Sequence, residues 1–127
     1  MKVSGIHHVS MKCASAEKLE EVRRFYCGLL GMCVVREWPE GIMIDTGAGL
    51  IEVFCNGKGS RETGAVRHFA LEVDDVDVVT GKLVSAGFKP YTGPKNVIQD
   101  SDPPYCARMV FFIGPLGEQV EFYRPGN

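Results

Sequence analysis

The sequence predicts an α+β domain built from two βαβββ modules that leave a curved cleft between their sheets. Three observations predict it. The chain is rich in glycine, 15 of 127 residues, and the glycines fall between short apolar runs, so tight turns and short strands are favoured over long helices. The order of elements in the first half returns in the second. The two halves also share sequence: His8-Val-Ser-Met parallels His68-Phe-Ala-Leu, Leu30-Gly31-Met32 parallels Ala86-Gly87-Phe88, and Glu52-Val-Phe parallels Glu121-Phe-Tyr.

Each element has its own signal. Ile6 to Cys13 reads as a strand, because Val9, Met11 and Cys13 alternate with His8, Ser10 and Lys12. Ser15 is placed to cap a helix in which Leu19, Val22, Phe25, Tyr26, Leu29 and Leu30 recur at helical spacing and which Gly31 ends. Three strands follow, Met32–Trp38, Ile42–Thr46 and Leu50–Phe54, separated by Pro39-Glu40-Gly41 and Gly47-Ala48-Gly49. Asn56 to Ala65 is polar and glycine-rich and reads as a linker. The second module opens with a strand over Val66–Val73. Asp74 or Asp75 then caps a helix carrying Val76, Val79 and Leu83, ended by Gly87. Phe88–Tyr91, Cys106–Ile113 and Glu118–Arg124 complete it, with Thr92–Tyr105 expected as a loop bordering the cleft, where Lys95 could meet a substrate carboxylate. Residues 1–127 are thus one domain of two modules, at about 1–56 and 65–127. His8 to Gly31 spans 23 residues and His68 to Gly87 spans 19, which fits a second helix about one turn shorter.

Composition narrows the partners. With 14 Lys and Arg against 16 Asp and Glu, the net charge of −2 lacks the basic stripe of a nucleic-acid or anionic-membrane binder. No apolar run approaches the roughly 20 residues of a membrane span. The N-terminal stretch has no apolar signal-peptide segment, so a cytoplasmic protein is expected. Five cysteines, an odd number with no C-x-x-C pair, read as reduced thiols rather than a disulfide framework.

The strand pattern also brings out four polar residues. If Val9, Met11 and Cys13, and Phe69, Leu71 and Val73, face their helices, then His8 and His68 point the other way, into the cleft. His7 has the opposite parity and is expected off that face. In the closing strands Ile51 and Val53, and Val120 and Phe122, are the helix-facing pairs, which leaves Glu52 and Glu121 facing the cleft. A repeated element therefore supplies one His and one Glu twice. Two neutral imidazoles and two carboxylates suit a divalent cation and leave two positions of an octahedral ion open, the layout of a catalytic site.

These residues resemble the vicinal oxygen chelate superfamily, over essentially the whole chain. The markers are His8-Val9-Ser10-Met11, Arg24-Phe25-Tyr26, Leu30-Gly31-Met32, Leu50-Ile51-Glu52-Val53, His68-Phe69-Ala70-Leu71-Glu72-Val73 and Gly117-Glu118-Gln119-Val120-Glu121. The His, Glu, His, Glu order is most similar to glyoxalase I (lactoylglutathione lyase). That resemblance implies a metal site of His8, Glu52, His68 and Glu121, with Ni²⁺ preferred and Co²⁺ or Zn²⁺ possible. It implies isomerisation of the thiol hemithioacetal of methylglyoxal to the lactoyl thioester through an enediolate that the metal stabilises, a detoxification reaction. Glu121 would be the base, with Glu52 a ligand or the base on the opposite substrate face. Asn56 and Lys12 would contact the thiol, and a homodimer would build each metal site from one His/Glu pair per subunit. The chain departs from the glyoxalase I pattern at Lys12, where an arginine is usual, at Gly114-Pro115-Leu116-Gly117 in place of Asp-Pro-x-Gly, at Gly64, where an arginine is usual, and in a longer first helix. Two other activities stay open: a racemase or epimerase of the methylmalonyl-CoA epimerase type, and a non-catalytic protein that binds or sequesters a small molecule.

Overall fold

A computed structural model describes residue 2 and residues 6–57, 68–99 and 104–126. The chain divides into two compact units, Met1–Arg61 and Glu62–Asn127. The expected linker from residue 58 onward and the start of the strand expected at Val66 lie outside the described residues.

In the first unit β1 (His8–Lys12) leads to α1 (Ala16–Arg23), a π-helical segment (Arg24–Leu29), β2 (Cys33–Trp38), β3 (Gly41–Asp45) and β4 (Leu50–Phe54). Ser15 is the N-cap: its backbone is extended and its hydroxyl accepts from Lys18 N–H at 3.2 Å. Loss of such a cap costs about 1 kcal/mol. The widened segment was not anticipated. In it Leu30 N–H reaches back five residues to the Phe25 carbonyl at 3.1 Å, one more than an α-helix spans. The sheet order is β1-β4-β3-β2, with β1 and β4 parallel and the other pairs antiparallel.

The second unit repeats this plan with β5 (Phe69–Glu72), α2 (Val76–Ser85), β6 (Pro90–Gln99), β7 (Tyr105–Ile113) and β8 (Gln119–Pro125). The order β5-β8-β7-β6 is the same, again with a parallel first pair. Asp75 caps α2, accepting from Asp77 and Val78 N–H at 2.9 and 3.1 Å. Both helices end at a glycine with positive φ, Gly31 at 75° and Gly87 at 95°, a left-handed turn that a side chain disfavours. Each module therefore forms a four-stranded mixed sheet, and neither sheet is closed or strongly curved.

The core of each unit lies between its helix and one face of its sheet. In the first it holds Leu19, Val22, Phe25 and Tyr26 with Ile42, Ile44, Ile51 and Val53. In the second it holds Val76 and Leu83 with Val110, Phe112, Val120 and Phe122. The pairs Ile51/Val53 and Val120/Phe122 face inward as their spacing predicts. Truncating a buried phenylalanine such as Phe122 to alanine costs about 3–5 kcal/mol. An arginine ties helix to sheet in both units. Arg23 of the first helix reaches Glu37 on β2 at 2.8 Å, and Arg108 on β7 grips both carboxylate oxygens of Asp77 at 2.7 Å.

One expected loop is corrected. Thr92 to Gln99 belongs to β6 and pairs with β7, so Lys95 stands on a strand. The Gly93-Pro94 pair, a turn signal in sequence, is taken up as an irregularity in an edge strand, where a missing N–H is tolerated. Gly93 has φ of 82°, and a Cβ there would come within 2.6 Å of the Met109 carbonyl. Residues 100–103 of the expected loop lie outside the described residues. Among the described residues no helix is long and apolar enough to cross a membrane.

Candidate metal centre

The two sheets carry their polar faces in the same register. In the first unit, the face opposite α1 bears three cross-strand rows. They are His8, Leu50, Asp45 and Cys33; then Ser10, Glu52, Met43 and Arg36; then Lys12, Phe54, Gly41 and Trp38. In the second unit the corresponding rows include Ala70, Glu121, Phe111 and Thr92, then Glu72, Tyr123, Met109 and Lys95. In both units a histidine stands two residues before the strand residue that pairs with the glutamate. The repeat seen in sequence is a repeat in pairing.

Each histidine meets its own glutamate. His8 Nε2 lies 3.9 Å from Glu52 Oε1, and His68 Nε2 lies 3.1 Å from Glu121 Oε2. The side chains have nearly equal exposure in the two units, 40% and 39% for the imidazoles and 15% and 18% for the carboxylates. The carboxylates are thus shielded while the imidazole edges stay open to an incoming group. Two ligands at about 2.1 Å from one ion and at right angles are about 3.0 Å apart. The His68–Glu121 pair already has that separation, and the His8–Glu52 pair needs to close by less than one ångström. The donors present, imidazole nitrogen and carboxylate oxygen, suit Ni²⁺, Co²⁺ or Zn²⁺. Among the described residues no three His, Cys, Asp or Glu side chains gather within one site. Each unit on its own offers one pair.

The surroundings of the pairs differ. Ser10 Oγ donates to Glu52 Oε1 at 3.0 Å, whereas the residue opposite Glu121 is Ala70. Met43 lies beside Glu52, but Phe111 lies beside Glu121, and its ring meets His68 edge-on at 4.9 Å. Tyr91 packs on Phe111 at 5.6 Å and its hydroxyl donates to Gln119 Oε1 at 3.0 Å. Burial, and then the charge of Glu121, hold the Tyr91 phenol above its ordinary pKa, so it stays a donor.

The expected substrate contacts fall on the same polar faces or beside them. Lys12 is exposed, with its ammonium 5.6 Å from the centroid of Phe54, whose ring also meets Trp38 at 5.4 Å. Gly41 lies between Trp38 and Phe54 in the row, and a Cβ there would collide with the Trp38 ring at 2.6 Å. Asn56 is exposed and follows β4. The next residue, Gly57, donates to the Cys13 carbonyl at 3.0 Å and runs against the Lys12 stem. Lys95 occupies in the second unit the row position that Trp38 holds in the first. Sequence reasoning missed Ser10, Phe111 and Tyr91. Ser10 was within reach of it, since the strand parity already put it on the polar face two residues after His8. His7 precedes β1, and its ring is not idle: its Nδ1 lies 3.0 Å from His8 Nδ1. All five cysteines are free thiols.

Residues 5–122 match the family model of the Glyoxalase/Bleomycin resistance protein/Dioxygenase superfamily. Solved structures agree in fold. A glyoxalase/bleomycin resistance protein/dioxygenase from Alicyclobacillus acidocaldarius is 20% identical with a TM-score of 0.69, over 98% of this chain and 93% of that one. A glyoxalase family protein from Enterococcus faecalis is 22% identical with a TM-score of 0.71, over 94% and 97%. A putative glyoxalase family protein from Bacillus anthracis is 20% identical with a TM-score of 0.70, over 99% and 98%. No curated protein matches significantly. With the family model spanning nearly the whole chain and two repeated sheets bearing equivalent His/Glu pairs, this protein belongs to the glyoxalase/bleomycin resistance/dioxygenase superfamily.

Proposed function

We propose that the protein is a metal-dependent lyase of the glyoxalase I type. It would convert the hemithioacetal of methylglyoxal and a low-molecular-weight thiol into the lactoyl thioester. The observation that carries this reading is the pair of His/Glu couples in one register, His8 with Glu52 and His68 with Glu121. A full set of four ligands takes one couple from each module, and a homodimer with two sites would provide it from two subunits. When bound, a divalent ion there supplies Lewis-acid stabilisation of the negative charge that builds on the substrate oxygens.

The chain's own residues carry the proton. A proton leaves the carbon next to the carbonyl and returns to the neighbouring carbon, so one carboxylate that accepts and then donates it closes the cycle. Glu121 is the better placed of the two glutamates. Glu52 is held in place by the Ser10 hydroxyl, while Ala70 offers Glu121 no such bond. Phe111 pairs beside Glu121 and Tyr91 packs on Phe111, so an aromatic surface stands next to this carboxylate. Lys12, Asn56 and Lys95 would bind the thiol's polar groups.

The test is metal analysis of the purified protein, followed by thioester formation from methylglyoxal with glutathione and other thiols in the presence of Ni²⁺, Co²⁺ or Zn²⁺. Glu121→Gln is expected to keep its fold and lose about 10²–10⁴-fold in turnover. Solvent-deuterium uptake at a substrate carbon without any thiol would point instead to the epimerase class. Tight ligand binding with neither exchange nor turnover would make the protein a binder.

A further inference from the structure

We infer that His7 is a positioning residue for His8, fixing the tautomer in which His8 Nε2 carries the lone pair. The inference rests on the proposed role of His8 as a metal ligand. The two Nδ1 atoms are 3.0 Å apart, and the rings meet edge-on at 86° with centroids 5.2 Å apart. Neutral imidazole nitrogens at this distance share one hydrogen: one is N–H and the other accepts. If His8 Nδ1 carries the hydrogen, its Nε2 is bare, and Nε2 is the nitrogen that lies 3.9 Å from Glu52 Oε1. If His7 donates instead, the His8 hydrogen moves to Nε2 and blocks ligation. Ligation at Nε2 therefore selects the first arrangement, with the His7 imidazole as acceptor.

A ligating histidine usually gives its second N–H to a carboxylate, a carbonyl or water, and the acceptor sets the ring's tautomer and angle. In this protein a neighbouring imidazole takes that place. His7 is itself anchored, because its carbonyl accepts from Leu50 N–H at 3.0 Å. Leu50 pairs with His8 and stands two residues before Glu52. The same strand thus holds the glutamate and the residue that orients the histidine.

Two measurements test this. Long-range ¹H–¹⁵N spectra of the metal-free protein at pH 8 report each ring's tautomer. Wild type is expected to show His8 as the Nδ1–H form, His7→Ala to shift it toward Nε2–H, and His7→Asn, whose amide oxygen stands near the lost Nδ1, to restore it. Calorimetric titration with Ni²⁺ is expected to show about 10–100-fold weaker binding for His7→Ala. Most of that loss should return in His7→Asn, and His8→Ala should bind more weakly still. If wild type binds Ni²⁺ and His8→Ala does not, while His7→Ala binds as tightly as wild type, the positioning role falls and the metal reading stands. If wild type takes up no Ni²⁺, both fall. A wild-type His8 in the Nε2–H form also overturns the positioning role.

Discussion

Ser10 Oγ donates to Glu52 Oε1 at 3.0 Å, and the residue in the same pairing position opposite Glu121 is Ala70. Two carboxylates on repeated strands, each beside a histidine, therefore differ in one hydroxyl. The hydroxyl fixes the position of the Glu52 carboxylate, and no side-chain hydroxyl does so for Glu121 from the paired position. In the proposed reaction that difference makes Glu52 the held ligand and Glu121 the proton acceptor.

Exchanging the two small residues should move the effects separately. Ser10→Ala is expected to weaken Ni²⁺ binding about tenfold by loosening Glu52. Ala70→Ser gives Glu121 a hydroxyl neighbour and is expected to slow turnover with metal affinity little changed. Calorimetry and steady-state rates read the two quantities. Equal effects of both variants on turnover would contradict the division of roles.

Lys12 and Lys95 are expected to act in binding alone. Lys12→Ala and Lys95→Ala should each raise KM for a carboxylate-bearing thiol adduct about tenfold and leave kcat in place, as loss of a charge-assisted contact does. With an adduct that lacks the carboxylate, wild type and variants should have equal KM. An unchanged KM for Lys95→Ala with both adducts would make Lys95 a solvated strand residue.

The Asp77–Arg108 clamp should appear in the pH dependence of stability. The hydrogen bonds from Arg108, together with its charge, hold the Asp77 carboxyl below its ordinary pKa against a smaller cost of burial. A group whose folded pKa is lowered adds stability above its unfolded value, about 3.9, and loses it as pH falls through the folded value. The Tm of wild type should therefore exceed that of Asp77→Asn at pH 7, and the gap should close toward pH 2. A gap that persists unchanged at the lowest pH would mean that the carboxylate charge contributes nothing.

Thiol chemistry gives an independent check on the core. Cys13 is 2% exposed, and burial pushes its thiol above the ordinary range, whereas Cys33 lies on the surface. Since the thiolate is the reactive form, iodoacetamide at pH 8 should modify Cys33 at least about tenfold faster than Cys13. Peptide mapping by mass spectrometry resolves the two sites. Equal rates would show that the first core opens on the labelling timescale.

Much of the module plan was legible because alternation and helical spacing are local signals. Val9 and Met11 against His8 and Ser10 gave a strand with a known face, and Ser15 and Gly31 marked the helix ends. The same parity put His8, Glu52, His68 and Glu121 on the polar faces. What failed was punctuation that tertiary pairing overrode. Gly93-Pro94 reads as a loop until β7 supplies a partner strand, and Arg24–Leu29 has the composition of an ordinary helix although its hydrogen bonds widen by one residue. His7 was set aside on parity, which tells where a side chain leaves the backbone but not where a ring at the entry to a strand turns. Ser10 and Ala70 look alike in sequence as small residues. Only the register, which sets each opposite a particular carboxylate, separates their chemistry.

The shared register of the two sheets also bears on how such a site can change. If a ligand set came from two identical copies of one half-length chain, every substitution would appear twice, and both carboxylates would be tuned together. Here the copies are fused, so a serine in one and an alanine in the other, or Met43 in one and Phe111 in the other, alter one acid without its twin. In the proposed site, duplication with linkage would turn a symmetric ligand set into one with distinguishable sides. A substrate with two unlike ends would then be held in one orientation only.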